Sequence, residues 1–493
     1  MTEVRKLAFP FLAGAVLATG APPFDVLPAL WLGMAALAWR LDENPAWPLF
    51  ASRARVAVTG ARRGLAFGIG ANLVALRFVP AVVARFTPLP WAVGALGLLL
   101  LAAFEASRWA VAAMAYETLA RSRVPRPVAF AIGVYAGTFV PTMMPWTPAG
   151  GVSPWPSMIQ LADVVGERGV TAVMAFAAGL LATGAREATR RGSRARGLAI
   201  AGGALLLVAA QGLVGKVRMA AVDRDRDAAP HASVGLVQPS VGASTRWDEA
   251  RAPAILDELL ALTREAEARG AELVVWHEAA YPYRLPYASP RTPPGVRGIE
   301  RDGVTGPVLT GLLLATPDGE SSYNSAVVVS ADGSLSPSYD KRHLLWFGET
   351  VPLADRIPML RHVFARGLGL SAGDHEALLV SGRIRAAVLV CYEDMLPEAG
   401  EEAMSVGPNL IVNVTNDAWF SGSAESELHL RVAVLRAVEL RRDMVRAVNF
   451  GPTSWVDAAG RVRARAAPEL PSVLPTQPAL LDASPTLYAR WGD

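Results

Sequence analysis

The chain has 493 residues, of which 52% are hydrophobic and only 18% charged, with a formal net charge of +3. An ordinary soluble domain carries about 25% charged residues, so this composition argues against a wholly soluble protein and for a membrane portion. The small net charge argues against nucleic acid as a partner, and a single cysteine, Cys391, excludes an internal disulfide.

Seven apolar segments precede residue 220: residues 7–19, 26–39, 64–83, 91–116, 128–144, 169–183 and 197–217. Several are short for a bilayer, which takes about 20 helical residues per span. The connections are more informative. Arg5 and Lys6 precede the first segment, and Arg53, Arg55, Arg62 and Arg63 fall before or at the start of the third. Arg121, Arg123 and Arg126 follow the fourth, and Arg186, Arg190, Arg191, Arg194 and Arg196 follow the sixth, whereas the intervening connections hold few basic residues. Such alternation is what the positive-inside rule produces with seven spans, the N-terminus in the cytoplasm and residues after 217 outside it. Gly60, Gly64, Gly68 and Gly70 read as helix-packing positions. Glu105 and Arg108, one turn apart inside a span, are expected to neutralise each other. The charged stretch Asp223 to Asp227 reads as a linker.

From residue 231 short β-branched runs alternate with helical ones. Strands are expected over 233–238, 272–276, 308–315, 325–330, 383–391 and 409–415, helices over 248–269 and 427–445, and a hairpin over 453–466. The Pro-rich stretch 282–301 reads as a loop. This predicts a soluble α/β domain of about 250 residues, with boundaries at 1–220 for the membrane domain and 221–480 for the α/β domain.

Three strand ends there carry ionisable groups. Glu278 closes one run, Lys341 follows Tyr339-Asp340, and Cys391 closes another. Active sites of α/β folds gather at the carboxyl ends of strands, so the three can meet. A carboxylate to move protons, an ammonium to stabilise an oxyanion and a thiol nucleophile suffice for acyl transfer. No phosphate-binding glycine loop is present, His277-Glu278-Ala-Ala-Tyr281 lacks the second histidine of a zinc protease motif, and the remaining histidines are scattered. Neither a metal nor another cofactor is expected.

The strings Val275-Trp-His-Glu278, Tyr339-Asp-Lys-Arg-His-Leu-Leu-Trp-Phe-Gly-Glu349-Thr-Val-Pro352, Cys391-Tyr-Glu393 and Asn416-Asp-Ala-Trp-Phe420 resemble the nitrilase superfamily. With a polytopic first half, and with Ser157 to Asp163 ahead of the sixth segment, the whole chain looks like the apolipoprotein N-acyltransferase family. The resemblance implies a polytopic α-helical membrane domain fused to an α/β nitrilase-like αββα sandwich. It makes Glu278 the general base, Lys341 the oxyanion-stabilising group and Cys391 the nucleophile, with Glu349, Tyr392 and Glu393 in support. It implies a bacterial inner membrane protein, its catalytic domain on the periplasmic face. Such a protein moves an acyl chain from a membrane phospholipid, through a Cys thioester, to the α-amine of a diacylglyceryl-cysteine on apolipoproteins. Trp346, Phe347, Trp419 and Phe420, beside the catalytic strings, are either apolar arms that reach acyl chains or core aromatics.

Two departures stand out. His277 occupies the place where the family usually has proline, and a spectator role is expected for it. Residues 481–493 form a tail without the family's usual last span. Two further readings stay open: a membrane-tethered nitrilase-like amidase or hydrolase, with water in place of the lipoprotein amine, and a non-catalytic lipoprotein-binding derivative.

Overall fold

The computed structural model describes residues 3–42, 53–87, 89–351, 356, 357, 359 and 369–492. Pro352, the end of one motif, lies outside them. The chain divides into two compact units, residues 1–219 with 423–432, and residues 220–422 with 433–492.

The first unit is helical. Its helices are α1 (Glu3–Ala18), α2 (Pro28–Leu41), α3 (Arg53–Ala75), α4 (Val79–Phe86), α5 (Trp91–Glu105), α6 (Ser107–Arg121), α7 (Arg126–Gly137), the short α8 (Pro148–Gly151), α9 (Ala162–Thr189) and the start of α10 (Arg194–Ala228). Among the described residues, three stretches are long and apolar enough to cross a membrane: Trp91–Arg121, Ala162–Thr189 and Arg194–Ala228. A further pair, Ala57–Ala75 with Val79–Arg85, is bent by 53° and forms a broken or re-entrant passage. The expected third span is therefore interrupted. The expected fifth is shortened, because α7 stops at Gly137 and residues 138–147 leave the helix.

Small residues let these helices approach closely. A Cβ at Gly64 would lie 2.0 Å from the Trp109 carbonyl oxygen on α6, and one at Gly70 2.0 Å from that of Phe11 on α1, as packing through small residues requires. Leu205, Leu206, Leu213 and Val217 on α10 face outward, the arrangement a lipid-facing helix needs. Glu105 and Arg108 do more than balance charge. Glu105 Oε1 accepts the backbone N–H groups of Met143 and Met144 at 2.6 and 3.1 Å, and Arg108 donates to the Trp146 carbonyl at 2.7 Å. Trp146 in turn donates to Asn72 Oδ1 at 3.0 Å. Both charged side chains are thus spent on the irregular segment, whose backbone must find partners away from water.

The second unit holds two sheets. The first runs β13 (Ser472–Thr476), β1 (Val234–Gln238), β2 (Leu273–Val275), β4 (Val308–Ala315), β5 (Ser322–Val329) and β6 (Tyr339–Asp340), with β3 (Arg284–Pro286) also paired to β4. The second runs β12 (Val462–Arg465), β11 (Ser454–Val456), β10 (Met444–Asn449), β9 (Leu410–Asn416), β8 (Ile384–Val390) and β7 (Leu378–Ser381). Val234, Leu236, Val275, Leu309 and Val328 of one sheet share a core with Val388, Val390, Val412, Val414 and Val445 of the other. On the outer face of the first sheet lies α11 (Ala252–Ala268), through Ile255, Leu256, Leu259 and Leu260. The short α12 (Pro397–Ala403) lies against β8, and β9 and β10 are buried at every residue. The result is the expected helix–sheet–sheet–helix sandwich.

Several boundaries differ from expectation. The helix expected over 427–445 is α13 (Glu425–Leu440), because Met444–Asn449 pairs in parallel with β9 instead. β6, β7, β10 and β13 were not expected as strands, and the loop 282–301 contains β3. β13 holds Pro475 at a sheet edge, where its missing N–H costs no ladder bond. The stretch 223–227 is no linker but the last turns of α10: Arg226 bonds Asp443 at 2.8 Å and Asp223 bonds Arg461 at 2.6 Å. A last short helix, α14 (Leu487–Trp491), falls within the stretch expected as a tail.

Candidate active site

Glu278 stands three residues beyond β2. The backbone there turns sharply, with Ala279 at φ 47°. Two features hold the turn. The buried Arg246 guanidinium donates to the Ala279 and Tyr281 carbonyls at 2.6 and 2.9 Å. Gly311 of β4 leaves room for it, since a Cβ there would sit 2.5 Å from Ala279 N, 2.7 Å from the His277 carbonyl oxygen and 2.8 Å from Glu278 Cα.

Lys341 follows β6, where Asp340 pairs with Ser325 of β5. Its own N–H donates to the Asn324 carbonyl at 2.9 Å. The Asp340 carboxylate accepts from Ser325 and Tyr287, each at 2.6 Å, so the strand end is fixed from two sides.

Cys391 follows β8 at φ 54° and opens a single 3₁₀ turn, Cys391–Met395. A left-handed backbone at a non-glycine residue is a sparsely populated state that its surroundings must enforce. Glu393 enforces it here. Its fully buried carboxylate accepts from the N–H groups of Val390, Arg342 and His343 at 2.7, 2.8 and 3.1 Å, and from the Tyr339 hydroxyl at 3.0 Å. One side chain therefore clips the Cys391 strand end to the Lys341 strand end. Below it, the buried pair Arg446–Asp394 at 2.9 Å ties the 3₁₀ turn to β10.

These strand ends bring the ionisable groups together. Lys341 Nζ lies 2.7 Å from Glu349 Oε2 and 3.8 Å from Glu278 Oε1. Glu278 accepts from Asn324 Nδ2 at 2.7 Å, from the Asn416 N–H at 3.0 Å and from the Cys391 thiol. Glu349 accepts from Asn324 Nδ2 at 3.0 Å and from the Leu345 N–H at 2.9 Å. Burial raises the Glu278 carboxyl, Lys341 pulls it back, and the neighbouring Glu349 adds to the rise. Burial also pushes the Cys391 thiol up, assisted by Glu278 and opposed by Lys341. For Lys341 burial works against the charge, but Glu349, Cys391 and Glu278 outweigh it and the ammonium is strengthened. The ground state therefore pairs a protonated thiol with an ammonium, and Glu278, hydrogen-bonded to that thiol, is placed to take its proton. That arrangement can deliver a thiolate at the moment of attack and meet the developing oxyanion with a fixed cation.

Of the other expected site residues, Tyr392 is half-buried beside the thiol. Trp346 and Phe347 are exposed, which sets them apart from core aromatics, while Trp419 and Phe420 are half-buried. His277 does not bond the Glu278 carboxylate. Its Nδ1 lies 2.8 Å from the Glu278 main-chain oxygen, and burial, with Arg246 nearby, brings its pKa down to about 3. It is a neutral ring. Sequence reasoning passed over Asn324, Arg246 and Gly311. Asn324 lies in the polar first half of β5, Ser322-Tyr-Asn-Ser325, just ahead of the strand expected over 325–330, and no local signal in the sequence marks it.

Comparison with known proteins covers both halves. A model of the apolipoprotein N-acyltransferase N-terminal domain matches residues 13–180, and a carbon-nitrogen hydrolase model matches residues 233–475. A protein of Brucella melitensis named apolipoprotein N-acyltransferase is 32% identical, across 93% of this chain and 87% of its own length. One of the same name from Geobacter metallireducens is 30% identical, across 99% and 92%. Among solved structures, an amidase from Nesterenkonia is 20% identical over 53% of this chain and 94% of its own, with a TM-score of 0.39.

Proposed function

This chain belongs to the apolipoprotein N-acyltransferase family, and we propose that Glu278, Lys341 and Cys391 carry its acyl transfer in two half-reactions. In the first, Cys391 Sγ attacks an ester carbonyl of a membrane phospholipid while Glu278 takes the thiol proton. Lys341 faces the oxyanion of the tetrahedral intermediate. Collapse expels the lysophospholipid alkoxide, which receives the proton from Glu278, and leaves Cys391 as an acyl thioester. In the second, the α-amine of a diacylglyceryl-cysteine at a lipoprotein's N-terminus attacks that thioester. Glu278 takes the amine proton and returns it to the departing Cys391 sulfur, so an amide forms and the thiol is restored.

The observation that carries this reading is the convergence of a thiol, a buried ammonium and a hydrogen-bonded carboxylate from three strands. The helices long and apolar enough to cross a membrane support lipid substrates, because a tethered site spares their extraction into water. The Arg-rich connections support a catalytic unit on the periplasmic face of the inner membrane. Trp346 and Phe347, exposed next to Glu349, are suited to meet acyl chains.

Intact mass spectrometry after incubation with phospholipid tests the scheme. A hydroxylamine-labile acyl adduct is expected on the protein, absent in Cys391→Ala, and converted to an amide by a diacylglyceryl-cysteine peptide. Discharge by water alone makes the protein a hydrolase instead.

A further inference from the structure

Asn324 lies outside every string that singles out Glu278, Lys341, Glu349 and Cys391. It is 4% exposed, between Tyr323 and Ser325 in β5. Its Nδ2 stands 2.7 Å from Glu278 Oε1 and 3.0 Å from Glu349 Oε1. Ionised carboxylates only accept hydrogen bonds, so the amide must turn its NH₂ to them, one hydrogen to each. The opposite end is left over: Asn324 Oδ1 is buried with no partner among the described residues. Leaving a buried amide oxygen unpaired is costly, and an asparagine that served only to tie β5 into the fold would have no reason to bear that cost. The residue is held for its donors.

Two carboxylates, Glu278 buried and Glu349 partly so, face one ammonium, and the like charge of Glu349 makes the ionised form of Glu278 harder to hold. The direct bond of Lys341 goes to Glu349 at 2.7 Å, not to Glu278 at 3.8 Å. Glu278 is left with Asn324, the Asn416 N–H and the Cys391 thiol. The other charged groups nearby are engaged elsewhere. Arg246 binds main-chain carbonyls, the neutral His277 ring turns to the Glu278 main chain, Glu393 acts on Lys341, and Asp417 acts on Cys391. We propose that Asn324 is the positioning residue that holds Glu278 ionised and separate from Glu349, and so sets the lowest pH at which Cys391 can react. The inference rests on the reading of Glu278 as the base.

The test uses the full chain in detergent. Alkylation of Cys391 by iodoacetamide is followed against pH, alongside acyl-adduct formation from phosphatidylethanolamine vesicles, in the parent protein and in Asn324→Leu. Without the donor, the acid limb of alkylation is expected to move up by about one pH unit, a roughly tenfold slower reaction below the midpoint. The shift must vanish in a Glu278→Gln background. An unmoved midpoint with a lower plateau, or a shift that persists without Glu278, overturns the proposal. If Asn324→Leu does not fold by thermal melting, Asn324→Ser is judged by the same two criteria. If the parent protein alkylates with an acid limb but never gains an acyl chain, the acyltransfer reading fails, and Asn324 is judged on alkylation alone.

Discussion

Glu393 holds in place the groups proposed to react, because its carboxylate accepts from both strand ends that carry Lys341 and Cys391. Residues of this kind make the site a set of strand ends rather than a set of side chains. Cys391→Ser keeps the shape of the nucleophile but loses its acidity and softness, so acyl transfer should fall by at least about 10³-fold while the melting temperature is unchanged. His277 offers a second residue-level prediction. Its folded pKa of about 3 lies below the ordinary 6.5, so the unfolded chain binds this proton more tightly. The stability it allows is complete above pH 6.5 and is lost as pH falls towards 3. Between pH 7 and 5 that amounts to about 2 kcal/mol. His277→Gln should flatten the fall in melting temperature over that interval, and an unaltered fall would show that the ring is not buried neutral.

At the level of elements, the strands place the chemistry and the glycines allow it. Gly311 sits mid-strand in β4, where its absent Cβ makes room for the backbone of His277, Glu278 and Ala279. Gly311→Ala must push that turn away. Since misplacing a catalytic group by about 1 Å can cost on the order of 100-fold, thioester formation should fall by that order with little change in secondary structure by circular dichroism. The strands that carry Glu278 and Cys391 were legible because β-branched runs end in a polar residue. β10 was not legible. Met444-Val-Arg-Ala-Val-Asn449 follows a helix with only Arg441 to Asp443 between them, and its strand state comes from pairing with β9, which no local signal announces.

For the whole molecule, the membrane half and the catalytic half obey different solvents. Apolar side chains point outward on α10, whereas β8, β9 and β10 turn theirs inward on a shared core. The proposed orientation puts the connection after α9 in the cytoplasm and the catalytic unit in the periplasm, as the positive-inside rule would have it. In a Cys391→Ala background, Glu320→Cys should react with a membrane-impermeant maleimide in intact spheroplasts, and Arg191→Cys only after lysis. Labelling in the reverse order would overturn that orientation. Both positions are exposed turns, so failure to label would not come from burial.

The sequence by itself determined the two-part architecture and pointed to the thiol, ammonium and carboxylate that the structure brings together. Hydropathy and strand-end polarity are properties of short stretches, and the motif strings need no neighbours to be read. Tertiary structure alone decided the break after α3, the use of Glu105 and Arg108 to hold residues 143–146, the clip made by Glu393 and the bridge made by Asn324. All but the first of these join residues far apart in the chain. Their meaning lies in hydrogen bonds that exist only when the sheets and helices have packed, and a buried polar group shows its partner only then.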